Sequence, residues 1–198
     1  MKIGLTGSIA CGKSTVSAYL KSLGHIIVDA DAISHSLTAP GGAALASIRK
    51  AFGDDVFDGD VLNRRALGSV VFSDPQKRDT LNAILHPMII STIEAELDAH
   101  DAPDRLVIGD IPLLYECGTA HMFDQVWVVS VPEEVQLDRI CMRDGLSRRE
   151  AQLRIDSQMP LEKKRALADA VIDTNGPLER TRRQIDALIQ SIFPRRNA

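Results

Sequence analysis

Apolar runs short enough to be strands alternate along this chain with stretches whose apolar residues return every three or four positions. The runs are Ile3 to Leu5, His25 to Val28, Leu106 to Ile108, Val126 to Val131 and Ala170 to Ile172. Their continuous apolar character predicts strands buried on both faces, as in a parallel sheet. Helical spacing runs from Thr15 to Leu23 and stops at Gly24. Pro132-Glu133-Glu134 opens another helix, its acidic pair suited to the positive end of the helix dipole, and Pro177 starts a last one through Ile192. Strand and helix in alternation make the fold class α/β. From Gly41 to His100 the apolar positions (Leu45, Ile48, Phe52; Leu67, Val70, Val71; Leu81, Ile84, Leu85; Ile89, Ile90, Ile93, Leu97) keep helical spacing. No strand is expected there, and the stretch reads as a helical insertion. Arg143, Arg148, Arg149, Arg154, Lys163 and Lys164 crowd one segment, which points to a mobile flap or an exposed helical pair.

With 198 residues, 44% of them hydrophobic, the chain suits one domain with a real core. A net charge of −4 leaves no basic surplus for a nucleic-acid backbone, while 23 Lys and Arg remain for local phosphate sites. A small phosphorylated ligand is the better expectation. Cys11, Cys117 and Cys141 are far apart and have no zinc or disulfide spacing, so they read as reduced thiols. No apolar stretch approaches the roughly 18 residues of a membrane span, and Met1-Lys2 leads straight into a strand. A cytoplasmic protein is expected.

Candidate chemistry begins at Gly7-Ser8-Ile9-Ala10-Cys11-Gly12-Lys13-Ser14, which is Gly, four residues, then Gly-Lys-Ser, directly after a strand and before a helix. This is the pattern of a phosphate-binding loop. Glycines let backbone amides turn toward phosphate oxygens, Lys13 reaches the β/γ phosphates, and the Ser14 hydroxyl ligates Mg²⁺. Ala10, Cys11, Gly12, Lys13, Ser14 and Thr15 are the expected ATP contacts. Inside the loop, Cys11 is either a thiol whose pKa the helix N-terminus lowers or simply a small side chain that fits. Open parallel sheets bind ligands beyond the carboxyl ends of their strands, so polar residues after the apolar runs come next. Asp29-Ala30-Asp31, if extended, sets two carboxylates on one side near the loop; the plainer reading is an aspartate capping a helix. Asp110 is either an Mg²⁺ partner, usually through water, or a turn residue before Pro112. Arg139 and Arg143, four apart on a helix, share a face and can approach a transferring phosphoryl group, although Asp144 offers Arg143 a salt bridge instead.

The set resembles the dephospho-CoA kinase family over nearly the whole chain. The resemblance is carried by Leu5-Thr6-Gly7 to Thr15, Val28-Asp29-Ala30-Asp31-Ala32-Ile33, Arg64 with Leu67 and Val71-Phe72, and Leu85-His86-Pro87. Ile111-Pro112-Leu113-Leu114-Tyr115-Glu116 and Arg139 to Ser147 extend it, and Arg154-Ile155 with Ser157-Gln158-Met159-Pro160 and Lys164, then Ala168-Asp169 and Val171-Ile172-Asp173, resembles the family's lid and final strand. It implies a P-loop nucleotide-kinase-like three-layer fold around a five-stranded parallel sheet. The core would take about residues 1–40, 101–142 and 166–198, a helical substrate-binding insertion about 41–100, and a lid about 143–165. It also implies ATP-dependent phosphorylation of the 3′-hydroxyl of dephospho-CoA, with Mg²⁺; a monomer is expected. Asp31 would accept the hydroxyl proton, Lys13 and Arg139 would neutralise the phosphoryl oxygens, Arg143 would assist on the ATP side, and Arg64 and His86 would hold the acceptor. In place of the family's Ile-Asp-Asn-x-Gly, this chain has Ile172-Asp173-Thr174-Asn175-Gly176, so Asn175 stands in for the adenine contact. Two rivals share the loop: another small-molecule kinase, of nucleoside monophosphate or shikimate type, and a nucleotide-dependent switch. Asp29-Ala30-Asp31 and the helical insertion favour the first reading.

Overall fold

The computed structural model describes residues 1–194, and within it the chain divides into two compact units, Met1–Val28 with the chain from Leu97 onward, and Asp29–Glu96. In the first unit, β1 (Lys2–Gly7), β2 (Ile26–Asp29), β5 (Val107–Asp110), β6 (Gln125–Ser130) and β7 (Ala170–Asp173) form one parallel sheet in the order β2-β5-β1-β6-β7. All five apolar runs are strands. β1 lies centrally, with Leu5 opposite Asp110 on one side and Gly7 opposite Val129 on the other. Ile3, Leu5, Ile108, Trp127 and Val129 are fully buried and pack with Val16 and Leu20 of α1 (Lys13–Ser22) and Ile185 of α9 (Leu178–Ile192). Burying side chains of this kind contributes about 1.5–3 kcal/mol each.

The charge-dense segment is a pair of helices, not an open flap. α7 (Arg148–Asp156) and α8 (Leu161–Ala166) follow α6 (Glu133–Asp144). Ala151 of α7 packs on Leu137 and Ile140 of α6, and Arg148 pairs with Glu134 and, at 2.8 Å, with Asp138. Ser147 and Glu150 close a capping box that fixes where α7 starts.

The second unit holds α2 (Ala30–Leu37), which no helical spacing announced, and α3 (Leu45–Phe52), α4 (Arg64–Ser73) and most of α5 (Pro75–His100), as the spacing from Gly41 to His100 predicts. One expectation fails here. Phe57–Asp58 and Val61–Leu62 form an antiparallel hairpin, β3 and β4, where no strand was expected. Two-residue strands carry no measurable periodicity, and only the turn pair Gly59-Asp60, with Gly59 in the left-handed region at φ 61°, marks it. Phe57 and Leu62 point into a core with Ala44, Ile48, Val56 and Leu67.

Candidate active site

At the carboxyl end of β1 the chain makes the turn that the loop motif demands. A side chain at Gly7 would put its Cβ 2.7 Å from the Val129 carbonyl oxygen, so only glycine fits beside β6. Ala10 and Gly12 are both left-handed, at φ 59° and 89°. For Ala10 this costs about 1–2 kcal/mol, and strain of this kind persists where the surroundings hold it. The result is an amide cradle. Gly12, Lys13 and Ser14 stand at the start of α1, where no preceding turn supplies carbonyls, and no acidic residue occupies the first turn.

Lys13 turns to Asp110, the last residue of β5, and forms an ion pair with it. Asp110 is 5% exposed, and its second oxygen accepts the Ser17 hydroxyl at 2.5 Å. Asp110 is thus not a turn residue before Pro112 but the buried end of a strand, its carboxylate held by two residues of α1. The Ser14 hydroxyl, by contrast, is exposed at the mouth of the loop.

A cleft of about 670 Å³ opens over the loop, lined by Ala10, Gly12, Ser14, Thr15, Arg139, Arg143, Thr174 and Gly176, with Met142 and Leu178 as apolar wall. The two arginines therefore do share one face. Arg139 donates to the Ala10 carbonyl at 3.3 Å and the Thr174 carbonyl at 3.0 Å, so it ties the loop to the end of β7. Arg143 pairs with Asp144 at 2.8 Å, which raises the guanidinium pKa and lowers the carboxyl pKa. Thr174 rather than Asn175 faces the cleft. The Thr174 hydroxyl donates to the Cys11 carbonyl at 2.6 Å, whereas the Asn175 carbonyl accepts Arg180 at 3.2 Å and Asn175 lines a separate cavity beside β7.

Cys11 corrects one reading. Its side chain is 1% exposed and packs into the apolar core, so burial pushes the thiol pKa up, against any lowering by the helix. Only its backbone belongs to the loop.

In the second unit, Asp29-Ala30-Asp31 is not extended. Asp29 is the N-cap of α2 and accepts from the amides of Asp31 (2.9 Å) and Ala32 (3.1 Å), which leaves Asp31 in the first helical turn. Arg64 opens α4 and donates to the His35 carbonyl at 3.2 Å, and His86 is exposed on α5.

Polar residues outside the expected site set also meet the loop, two of them, Gln158 and Lys164, within the stretch that carries the family resemblance. Gln136 donates to the Ser8 hydroxyl (2.7 Å) and the Ile9 carbonyl (2.6 Å), while Gln158 accepts from the Ser8 hydroxyl (3.0 Å) and the Ile9 amide (2.8 Å). Lys164, fully buried, reaches the same place from α8. Among the described residues no group of three or more His, Cys, Asp or Glu is arranged to hold a metal ion, and no helix is long and apolar enough to cross a membrane.

A strand ending in an amide cradle, a lysine at its head and two arginines across one cleft define a nucleotide-binding protein of the phosphate-loop class. The comparisons narrow the class. The dephospho-CoA kinase family profile matches residues 1–180. A dephospho-CoA kinase of Shouchella clausii is 46% identical over 174 residues, 87% of this chain and 88% of that one. Among solved structures, a Thermus thermophilus protein aligns with a TM-score of 0.81 at 37% identity over 96% of this chain and 97% of its own. The dephospho-CoA kinase of Campylobacter jejuni aligns at 0.76 and 31% over 97% and 98%. The chain belongs to the dephospho-CoA kinase family.

Proposed function

We propose that this kinase transfers the γ-phosphoryl group of ATP to the 3′-hydroxyl of the dephospho-CoA ribose, giving coenzyme A and ADP. The observation that carries the reading is the loop itself: left-handed Ala10 and Gly12 set the amides of residues 12–14 at a helix start, beneath a cleft lined by Arg139 and Arg143. Such a cradle binds the β and γ phosphates through donors that cost no reorganisation as charge builds. The base and ribose of ATP take the part of the cleft bounded by Met142, Thr174, Gly176 and Leu178.

The residues present suit Mg²⁺, which keeps several waters and takes one or two protein oxygens besides phosphate. The Ser14 hydroxyl on the cleft and, through water, the Asp110 carboxylate closing β5 would hold the ion, which would supply neutralisation of phosphate charge. Lys13 then shares its charge between Asp110 and the γ-phosphoryl oxygens. Arg139, already fixed on the Ala10 and Thr174 carbonyls, adds a second cation, with Arg143 on the ATP side.

For the acceptor, we assign proton removal to Asp31 and substrate binding to Arg64 and His86. Asp29 caps α2, and Asp31 stands in the first turn of that helix. ATP and dephospho-CoA are then the partners of a monomeric cytoplasmic enzyme. An acceptor panel tests the whole reading. ADP should form with dephospho-CoA and not with AMP, CMP or shikimate; the reverse pattern, or ATP hydrolysis indifferent to every acceptor, overturns it.

A further inference from the structure

The half of the phosphate loop that does not meet phosphate is held from outside, by a segment some 150 residues further along the chain. Gln158, in the connection between α7 and α8, accepts from the Ser8 hydroxyl and the Ile9 amide through one side-chain oxygen. Further along the same segment, in α8, Lys164 runs its stem through the interior with 0% exposure. Its ammonium has three hydrogens and meets three acceptors: the Gly7 carbonyl at 3.4 Å, the Pro112 carbonyl at 3.0 Å and a Glu116 carboxylate oxygen at 2.9 Å. Gly7 ends β1, and Pro112 follows Asp110 of the neighbouring strand. The ammonium therefore stitches together the two strand ends that carry the amide cradle and the Asp110 carboxylate.

A buried ammonium is costly unless paired and fully hydrogen-bonded, and nothing in the packing of a short helix requires one. Glu116 also accepts the Met159 amide at 2.9 Å, so the same carboxylate that balances Lys164 fixes the backbone next to Gln158. Two anchors thus leave one segment and converge on residues 7–9. Ala10, the strained position, follows immediately, and its conformation decides where the amides of residues 12–14 point.

We propose that Gln158 and Lys164 are positioning residues for phosphoryl transfer, a clamp that holds Gly7 to Ile9 so that the amide cradle keeps its shape against the triphosphate. The proposal rests on the loop reading above. Loss of the clamp lets the cradle relax, and displacement of binding groups by about 1 Å costs up to on the order of 10²-fold in rate. The effect falls on turnover rather than on the acceptor, which the clamp does not touch.

Two variants test it. Gln158→Leu removes the acceptor from a half-buried position. Lys164→Met combined with Glu116→Leu removes both partners of the buried pair and leaves no uncompensated charge, a replacement that is often neutral for stability. In each, kcat at room temperature should fall roughly tenfold or more, with the KM for dephospho-CoA unchanged and the melting temperature of the paired variant near that of the parent. Turnover within twofold of the parent in Gln158→Leu, or in the paired variant, overturns the clamp, even where the melting temperature drops. If the paired variant does not fold, Gln158→Leu decides alone. Lys13→Ala is measured alongside: parental turnover in that chain would mean that the loop reading has failed, while lost turnover there with parental turnover in the clamp variants would mean that only the clamp has failed.

Discussion

Replacing Gly7 by alanine puts a Cβ 2.4 Å from the Cys11 sulfur and 2.7 Å from the Val129 carbonyl oxygen. Ordinary carbon contacts lie at about 3.5 Å or more, so a wall must retreat by roughly 1 Å. The thiol can turn away. The Val129 carbonyl cannot, because Gly7 and Val129 are registered partners in the β1–β6 ladder and both strands are buried. The relief must come from the loop, which slides outward. Overpacking of this kind costs about 1–3 kcal/mol, less than a total stability on the order of 5–15 kcal/mol, so the chain stays folded. With about 2–4 °C lost per kcal/mol at this size, the variant should melt roughly 2–12 °C lower. The moved cradle should lose up to about 10²-fold in kcat. The assay is coupled ADP release with both substrates saturating at room temperature, beside a thermal melt. Adding Cys11→Ala removes the sulfur but not the carbonyl, so stability and turnover return only in part. Parental kcat and melting temperature in Gly7→Ala would refute the reasoning.

Asp31→Asn should lower kcat by at least the roughly 10²-fold typical of a lost general base while ATP affinity, read by calorimetry, hardly moves; full turnover would return Asp31 to a purely structural role. Arg139→Ala should reduce turnover more than it raises the KM for ATP, and a change confined to KM would place the guanidinium in ground-state binding. Thiol-specific reagents should modify Cys141 well before Cys11, whose burial raises its pKa and shields it; equal rates in the folded protein would contradict the buried placement. Asp144, held below the ordinary carboxylate pKa first by Arg143, contributes stability that is complete above its unfolded pKa of about 4 and is lost as pH falls through the lower folded value. Asp144→Asn should therefore flatten that acid limb of the stability curve, and an unchanged slope would remove the ion pairs from the account.

What could be read in advance followed from burial on two faces and from stop signals. Continuous apolar runs such as Val126 to Val131 exist because β6 is covered above and below, and Gly24, Pro132 and Pro177 mark helix ends by chemistry local to the chain. The failures have a common cause: one long-range or very short interaction outweighed the local pattern. Asp29 caps α2, the plainer of its two sequence readings, because its carboxylate finds two orphan amides, and the extended stretch ends there, two residues before Asp31. Lys164 lies in a run of charges that reads as solvated, yet three acceptors from distant segments draw it inside. Gln136 and Gln158 are amides without periodic signature, and Thr174 displaced Asn175 from the cleft because its hydroxyl reaches the Cys11 carbonyl.

A phosphate loop is a poor structure in isolation, since it keeps amide donors open, admits an alanine at positive φ and places a lysine beside them. Each feature raises the energy of the protein until a polyanion arrives, so none persists unless neighbouring groups leave the chain no easier conformation. Here the restraint comes from four places: Gln136 and Arg139 on α6, Gln158 and Lys164 beyond α7, Thr174 after β7, and the Val129 carbonyl within the sheet. The eight-residue motif states what is bound, while residues more than 120 positions away determine whether the cradle stands ready. It follows that an identical motif grafted onto another strand-helix junction would bind phosphate weakly, and that substitutions at Gln136 or Thr174 should act on turnover as loop substitutions do, although neither belongs to the motif.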